Sequence, residues 1–304
     1  MIEQPAPRRT RSRWDAAAPY VFLAPFFVLF LVFTVLPSVA TFALAWWEWD
    51  PLGGQRWVGA DNFVRLAGDP RFWTATTSTL IIAALATAAQ VVVGLVLAHA
   101  LQVVRGRFAG VLRISFLVPY VTSGAVVAIL AAQLVDRDYG LLATVAAGWG
   151  AEGDGLLSDP FGARIVVAAM VAWRWFGFTT LLMFAVLDAV PRDIFRAAEM
   201  DGAGGWATFR FVSLPILGPV IAFCCLTSVV GALQLFTEPL LVDPGRITCG
   251  PARQCQTLAL LVYETGFRDF QFGYAAAVAS AVFVLAAGVV GGGLALSRRW
   301  GWVA

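Results

Sequence analysis

Lysine is absent from the 304-residue sequence, histidine occurs once, and charged residues make up only 13% of the chain. Without lysine there is no glycine-rich phosphate loop of the G-x-x-x-x-G-K-[ST] form, so the chain does not bind ATP through that motif. The formal net charge of +2 is too small to indicate a nucleic-acid partner. Soluble domains carry about a quarter charged residues, so water is not the main solvent of this chain.

Apolar residues make up 60% of the sequence, with a mean hydropathy of +0.78, and they occur in long blocks. These blocks lie near 20–47, 80–101, 114–135, 165–190, 216–242 and 274–296. Several exceed the roughly 18 apolar residues that a membrane-spanning helix needs. They are too long and too uniformly apolar for the strands of a barrel. The sequence therefore predicts an all-α protein with about six transmembrane helices in a lipid bilayer, forming a single domain over 1–304.

The distribution of arginine predicts the orientation of these spans. The basic N-terminus (Arg8, Arg9, Arg11 and Arg13) precedes an apolar run that is longer than the core of a signal peptide. We therefore expect an uncleaved first helix. Alternate loops carry more arginine than the longer segments 48–75, 136–163 and 243–272, which places both termini in the cytoplasm. Residues 61–73 resemble an amphipathic surface helix, either an interfacial anchor or a docking surface for an external partner.

The polar segment 191–215 lies between the fourth and fifth spans. Pro191 and Asp193 favour the start of a short helix, because proline suits a first helical turn and aspartate complements the helix dipole. Gly202 and the two glycines at 204 and 205 would end or bend it before a second helical stretch reaches Pro215. From physics alone, a solvated connection and a docking element are both open for this segment.

The same segment resembles the signature loop of binding-protein-dependent ABC importer permeases, E-A-A-x-x-D-G-A followed after about ten residues by L-P. The matching positions are Ala197, Ala198, Asp201, Gly202, Ala203, Leu214 and Pro215. Arg196 departs from the pattern, which usually has glutamate there, and Glu199 is placed to pair with it one turn later. Shorter strings at 22–25, 59–63, 72–73, 118–120, 138–141 and 272–277 resemble the sugar-permease branch of the family.

This resemblance implies the fold of a type I ABC importer permease and a location in the bacterial inner membrane. It implies that the loop docks on a cytoplasmic ATPase dimer through Arg196, Ala197, Ala198, Glu199, Asp201, Gly202 and Ala203. A second permease subunit and an external solute-binding protein complete the expected complex. The chain itself is expected to bind no cofactor, because ATP and Mg²⁺ belong to the ATPases. A sugar is the expected substrate, with a glycerol phosphodiester or an amino sugar as the alternative.

Two segments are candidates for the substrate pathway. Trp173 and Trp175 flank Arg174 in the fourth span and suit sugar stacking, although an interfacial tryptophan belt with Arg174 snorkelling outward is the competing interpretation. The family resemblance adds Gly177 and Thr180. In the fifth span, four residues share a helical face by their spacing: Thr227, Gly231, Gln234 and Glu238. That face would line the pathway or hold helices together. Glu238, near the outer end of the span, would act as a gate or a structural residue.

Other functions fit the sequence less well. An intramembrane enzyme needs a nucleophile–base pair or clustered carboxylates, which a lone His99 and few buried acids do not supply. An ion-coupled transporter would show intramembrane acids and broken helices in repeated halves, and the sequence shows neither. Cys249 and Cys255 lie in an outer loop, where a loop-closing disulfide is expected. No metal site is expected.

Overall fold

The computed structural model describes residues 13–50, 53–104, 107–136, 139–141, 144, 156–243, 247–250 and 252–299. Arg8, Arg9, Arg11, Arg105 and Asp138 lie outside the described residues. Within the described part, five helices are long and apolar enough to cross a membrane, or six if a bent helix pair is one span. The predicted fold of membrane-spanning helices is confirmed, with one short β-hairpin in addition.

The helices follow one another along the chain with short interruptions. In order they are α1 (Arg13–Phe30), α2 (Leu36–Leu44), α3 (Asp61–Gly68), α4 (Pro70–Val103), α5 (Arg107–Val121), α6 (Gly124–Val135), α7 (Pro160–Asp188), α8 (Arg192–Met200), α9 (Gly205–Thr208), α10 (Leu214–Leu233), α11 (Thr237–Leu241), α12 (Leu258–Tyr263) and α13 (Phe272–Arg299). Three π-helical turns, Leu31–Val35, Phe209–Ser213 and Glu264–Arg268, join α1 to α2, α9 to α10 and α12 to the loop before α13. The first, second, fourth, fifth and sixth spans are therefore helices of 28 to 33 residues.

The centre of the bundle is the contact between α4 and α7, against which α5 and α10 also pack. Small residues permit this close packing, as expected inside membranes. At Gly177, an added Cβ would lie only 1.6 Å from the backbone carbonyl oxygen of Phe116, so α5 and α7 touch backbone to backbone there. The first span is different, because no residue in its most apolar window is buried.

The third span is broken rather than straight. Helices α5 and α6 meet at an angle of 86°, at a break over Thr122 and Ser123. The sequence predicted one continuous span over 114–135. Helix α5 ends at Val121, two residues after Pro119. The break is tolerated because α6 packs against α11 and α7, where irregular backbone can be satisfied.

The corner between the first and second spans contains a hairpin that the sequence did not predict. Strands β1 (Trp47–Asp50) and β2 (Gly54–Trp57) pair antiparallel. The predicted surface helix is α3, and its buried Asn62 donates hydrogen bonds to the carbonyls of Ala45 and Trp47 at 2.9 and 3.0 Å. This side chain therefore fixes the hairpin to the start of the second span.

Asp69 joins the same corner to the last span. It caps α4 by accepting a hydrogen bond from the backbone amide of Arg71 at 2.8 Å, and the Tyr274 hydroxyl donates to it at 2.6 Å. Burial alone would raise the pKa of Asp69, but the hydrogen bonds from Tyr274 and Arg71 outweigh it and hold the pKa below its ordinary value. Asp69 is therefore an ionised connection between two spans.

A loop closed by a disulfide covers one end of the bundle. Cys249 and Cys255 are bonded to each other. The backbone carbonyl of Gln254 accepts hydrogen bonds from Ser78 on α4 at 3.0 Å and from Arg164 on α7 at 2.9 Å. Because one loop carbonyl receives donors from two helices, the loop acts as a cap that holds the N-terminal ends of α4 and α7 together.

Glu264 is the charged centre of this cap. Its carboxylate is 3% exposed and accepts two hydrogen bonds from Arg253, one from Gln256 at 2.6 Å, and a longer ion pair with Arg268 at 3.6 Å. Burial alone would raise the pKa of Glu264, but the hydrogen bonds from Arg253 and Gln256 and the positive charge of Arg268 hold the pKa below its ordinary value of 4.5.

The lowered pKa of Glu264 makes the cap sensitive to acid. A depressed pKa contributes stability that is fully present above the ordinary value of 4.5 and is lost as the pH falls through the folded-state value. We expect Glu264→Gln to lower stability at pH 7 by roughly 2 kcal/mol, the value of hydrogen bonds to a charged group. Thermal unfolding of the detergent-solubilised protein between pH 7 and pH 3 measures this. The variant should lose less stability on acidification than the parent.

Glu48→Gln is the matched control, since the Glu48–Arg56 pair is exposed at 60% and 76%. Exposed pairs contribute about 0–1 kcal/mol, so this variant should unfold like the parent at both pH values. Equal acid sensitivity of the parent and Glu264→Gln would contradict the assignment.

Candidate functional site

The segment 192–213 presents a helix that the rest of the described chain does not cover. Helix α8 has no buried residue, and its apolar Ile194 and Met200 are exposed at 45% and 87%. Trp206 and Phe211 beyond it are also exposed. Exposed apolar side chains on a polar loop indicate an interaction surface, and the predicted helix–turn–helix is present here.

Gly202 ends α8 in a Schellman motif. Its φ is +79°, in the left-handed region that side chains disfavour. The Ala203 amide donates to the Ala198 carbonyl at 2.9 Å, and the Gly202 amide donates to the Glu199 carbonyl at 3.0 Å. The glycine of the signature loop is therefore required by the backbone, and an added Cβ would meet open space.

The expected pairing of Arg196 with Glu199 is wrong. Arg196 instead pairs with Asp193, one turn earlier, at 3.2 Å. Both side chains are mostly exposed, at 72% and 87%, so the pair contributes little stability. Ala197, Ala198 and Asp201 stand on the same exposed helix and its end. The guanidinium that replaces the family's acid thus lies on the uncovered surface of α8.

A cavity of about 210 Å³ lies among α4, α7, α10 and α11. It is lined by aromatic, hydroxyl and amide side chains, which are Thr87, Gln90, Trp175, Phe178, Thr179, Thr227, Ser228, Gln234, Phe236 and Thr237, together with Arg174, Glu238 and smaller residues that include Gly231. Four predicted pathway residues of the fifth span and Trp175 therefore meet in one place. Aromatic faces beside hydroxyl and amide groups suit a polyhydroxylated ligand.

Arg174 does not snorkel outward. It lies midway along α7 and forms an ion pair with Glu238, whose side chain is 4% exposed. The N-terminus of α6 touches the same pair, since a Cβ at Gly124 would lie 2.8 Å from Arg174 Nη1 and 2.9 Å from Glu238 Oε1. A charge inside a membrane is costly unless it is paired in the protein interior, and this pair meets that requirement.

The predicted continuous polar face of the fifth span is interrupted. Helix α10 ends at Leu233, and Gln234 leaves helical geometry with φ −100° and ψ 6°. The carbonyl of Leu235 then accepts a hydrogen bond from Thr257 at 2.5 Å, which satisfies the broken backbone. Gln234 and Glu238 reach the cavity because the chain turns there, not because they lie on one helix with Thr227.

Three predicted pathway residues lie outside the cavity lining. Gly177 packs against the Phe116 backbone. Thr180 is fully buried and its hydroxyl donates to the Phe176 carbonyl at 2.7 Å. Trp173 is 47% exposed on another side of α7. The positions carried over by resemblance in this span are thus packing positions in the structure, while the adjacent Thr179 lines the cavity.

A family model described as a binding-protein-dependent transport system inner membrane component matches residues 90–299. The chain belongs to this family. It is a permease subunit of a binding-protein-dependent ABC importer and a multi-pass inner membrane protein.

Individual relatives extend this result to nearly the whole permease. It is 32% identical to the lactose transport system permease protein LacF of Rhizobium radiobacter, over 92% of this chain and 94% of the relative. It is 30% identical to the sn-glycerol-3-phosphate transport system permease protein UgpA of Escherichia coli, over 88% of both. A bacterial alginate ABC transporter, solved with an alginate pentasaccharide-bound periplasmic protein, has the same fold at a TM-score of 0.81 and 20% identity, covering 96% of this permease and 98% of that chain.

Sequence reasoning missed Thr87, Gln90 and Ser228 as neighbours across the cavity. Gln90 on α4 is 2% exposed and donates through Nε2 to the Ser228 hydroxyl on α10. The sequence did offer a signal for Gln90: it is an amide in the middle of an apolar span, where polar side chains cost free energy and are usually functional. Within the described residues, no cluster of His, Cys, Asp or Glu could hold a metal ion.

The contrast between Gly177 and Gly231 can be tested directly. Gly177→Ala would force a methyl group against the Phe116 carbonyl, whereas Gly231→Ala meets nothing within 4 Å. We expect the first variant to lose about 1–3 kcal/mol, the usual effect of overpacking, and the second to keep its stability. Thermal unfolding of both purified variants measures the difference, and equal midpoints would show that α5 and α7 do not meet at Gly177.

Proposed function

We propose that the permease imports a sugar or sugar derivative through the cavity between α7 and α10. The observation that carries this proposal is the lining, in which Trp175 and Phe178 stand beside Gln90, Thr227 and Gln234. The relative that transports lactose and a second relative, the arabinooligosaccharides transport system permease protein AraP of Bacillus subtilis, support it by their names.

The cavity supports the presence of a second permease subunit. Its volume of about 210 Å³ is below the roughly 300 Å³ at which small-molecule pockets begin. The unburied first span also offers an apolar surface. Both features fit a pathway to which this permease contributes one half and a similar subunit the other.

The segment 192–213 is proposed to dock on a cytoplasmic ATPase dimer. Its exposed apolar residues and the glycine-capped end of α8 supply a surface without a partner in the described chain. Closure of the ATPases on ATP would shift this segment as a rigid body. An external solute-binding protein would deliver the sugar at the opposite face, with both termini in the cytoplasm.

A phosphorylated substrate is the second candidate, because the relative UgpA is named for sn-glycerol-3-phosphate transport. The lining of the cavity favours an uncharged sugar over a phosphorylated substrate, since its two charged residues, Arg174 and Glu238, neutralise each other.

Reconstitution tests the proposed function. The permease is placed in proteoliposomes with its partner permease, the ATPase and the binding protein. Uptake of radiolabelled lactose, maltose, arabinotriose and glycerol 3-phosphate is then measured. We expect ATP-dependent uptake of at least one sugar by the full set and none by the permease alone. Uptake by the permease without the ATPase would contradict the importer mechanism, and uptake of glycerol 3-phosphate alone would contradict the sugar substrate.

Gly202→Val tests the docking segment. A β-branched residue at a φ of +79° is strongly disfavoured and costs roughly 1–2 kcal/mol locally, which would deform the end of α8. We expect normal insertion with sugar uptake reduced several-fold in the reconstituted complex. Gly204→Val is the matched control, because Gly204 has an extended backbone (φ −68°, ψ 169°) that valine can adopt, and open space around it. Equal uptake by the two variants would show that the turn at Gly202 is not part of the docking surface.

A further inference from the structure

A second cavity, of about 560 Å³, lies among the start of α4, the disulfide-closed cap and the π-helical turn Glu264–Arg268. Among the described residues it shares none with the central cavity. Its lining includes five charged residues, which are Arg71, Arg253, Arg268, Glu264 and Asp269. Three arginines against two acids leave one positive charge in excess in this lining. Neither the proposed sugar path nor the segment 192–213 uses these residues.

The arginines of this cavity differ in how far their donors are used. Arg253 donates to Gln256 at 3.1 Å and twice to Glu264, so its guanidinium is satisfied within the protein. Arg268 has no such hydrogen bond in the part of the chain that the structure describes. It approaches Glu264 only to 3.6 Å, and its side chain is 54% exposed. Arg268 therefore keeps N–H donors for a ligand.

Arg71 also has a donor to spare. Its Nε donates to Asp69 at 3.3 and 3.4 Å, whereas its Nη1 lies 3.7 Å from Asp269 Oδ2, beyond hydrogen-bond distance. Asp69 is outside the cavity lining. Arg65 lies on the same side as Asp69, since its guanidinium stands 4.2 Å over the ring of Tyr274, which donates to Asp69. These two charges offset each other, so the excess positive charge of the lining remains.

Two partly used guanidiniums in one cavity suit an anion with several acceptor oxygens. Guanidinium groups bind carboxylates and phosphates through parallel hydrogen bonds, and a phosphate presents its oxygens in more than one direction. Arg71 and Arg268 line the cavity from different elements, so one phosphate can accept hydrogen bonds from both. A neutral hydroxyl group would leave the excess charge without a counter-charge.

The cavity lies at the ends of two membrane spans. The second span covers Pro70–Gln102 and the sixth begins at Phe272, so Arg71 stands in the first turn of one and Asp269 just before the other. The second span has 33 residues and is therefore about 50 Å long, whereas the hydrocarbon core of a bilayer is about 30 Å thick. The ends of this span extend into the headgroup layer, where the phosphates of phospholipids lie.

Exposed aromatic side chains accompany the two arginines. Trp73 lies two residues after Arg71, and Phe267 and Phe270 lie within two residues of Arg268. The three rings are exposed at 55%, 63% and 57%. Phe270 has a φ of +55°, in the left-handed region that bulky residues rarely adopt. Tryptophan is enriched where a membrane meets water, and exposed apolar rings beside a cationic cavity suit a lipid better than a free anion.

We propose that this cavity binds the headgroup phosphate of an anionic phospholipid. Arg71 and Arg268 donate to the phosphate, and the exposed rings contact the apolar part of the lipid. Basic pockets between membrane helices bind lipid headgroups in this way. The proposal does not depend on which solute the permease imports.

Matched lipids test the proposal. Native mass spectrometry measures the binding of phosphatidylglycerol and phosphatidylcholine with identical acyl chains to the full-length permease in detergent. Both lipids carry a phosphate, but the choline ammonium cancels its charge. We expect phosphatidylglycerol to bind about fivefold more tightly or better, the effect of one excess positive charge near an anionic lipid. Ammonium phosphate at matched ionic strength is the second probe, and it should not displace the lipid.

Variants assign the binding to the named residues. Arg268→Gln should weaken phosphatidylglycerol binding about fivefold. Arg56→Gln is the matched control, because Arg56 is an exposed arginine that pairs with Glu48 outside the cavity, and it should keep the affinity of the parent. Asp269→Asn removes the acid that faces Arg71 and should strengthen binding several-fold, a change that a merely structural cluster would not produce. Unfolding midpoints show whether each variant is folded.

Three outcomes would overturn the proposal. The first is equal binding of the two lipids by the parent, or an equal effect of Arg268→Gln and Arg56→Gln in folded protein. The second is displacement of phosphatidylglycerol by ammonium phosphate, which would assign the site to a free anion. The third is weaker binding of the solute-binding protein to Arg268→Gln with unchanged lipid binding, which would assign Arg268 to an acidic protein surface. None of these outcomes changes the sugar uptake that tests the proposed function.

Discussion

The ion pair between Arg174 and Glu238 is the constraint around which the middle of the permease is arranged. An arginine midway along a membrane span must be neutralised inside the protein, and the acid that neutralises it comes from outside any long helix. Helix α10 stops at Leu233, and the chain turns before Glu238. Helix α6 begins afresh at Gly124, with its positive end beside the pair. Two interrupted spans therefore meet at one pair of charges.

The same arrangement connects the two candidate sites. Helix α7 carries Arg174 and leads directly into α8, while α10 follows the segment 192–213 and ends at the cavity. A displacement of that segment on the ATPase would be transmitted along two stiff helices to opposite walls of the cavity. This short mechanical route explains why no extended network between the sites is needed for the proposed coupling.

Hydrophobic length predicted the long spans, and the local chemistry of proline, aspartate and glycine predicted α8 and its end at Gly202. The failures share one cause. The pairing of Arg174 with a residue 64 positions away, the turn at Gln234, and the meeting of Gln90 with Ser228 are all tertiary contacts, which periodicity within one span does not encode. The sequence also suggested no broken helices, whereas the described residues contain a break at Thr122 and Ser123 and a helix end at Leu233. Neighbouring elements stabilise these interruptions, so no local motif marks them.

Stability alone does not explain the position of the charged pair of Arg174 and Glu238. Buried ion pairs rarely stabilise a protein more than apolar residues of the same volume would, and apolar side chains at both positions would satisfy the membrane equally well. The second buried pair, Arg253 with Glu264, lies where it can hold a disulfide-closed cap on the bundle, so a structural role accounts for it. Arg174 and Glu238 instead line a cavity together with Gln90 and Ser228. A neutral pair of opposite charges in that place offers a donor and an acceptor to hydroxyl groups while giving no net attraction to an anion, which is a property that neither apolar residues nor a single charge would supply.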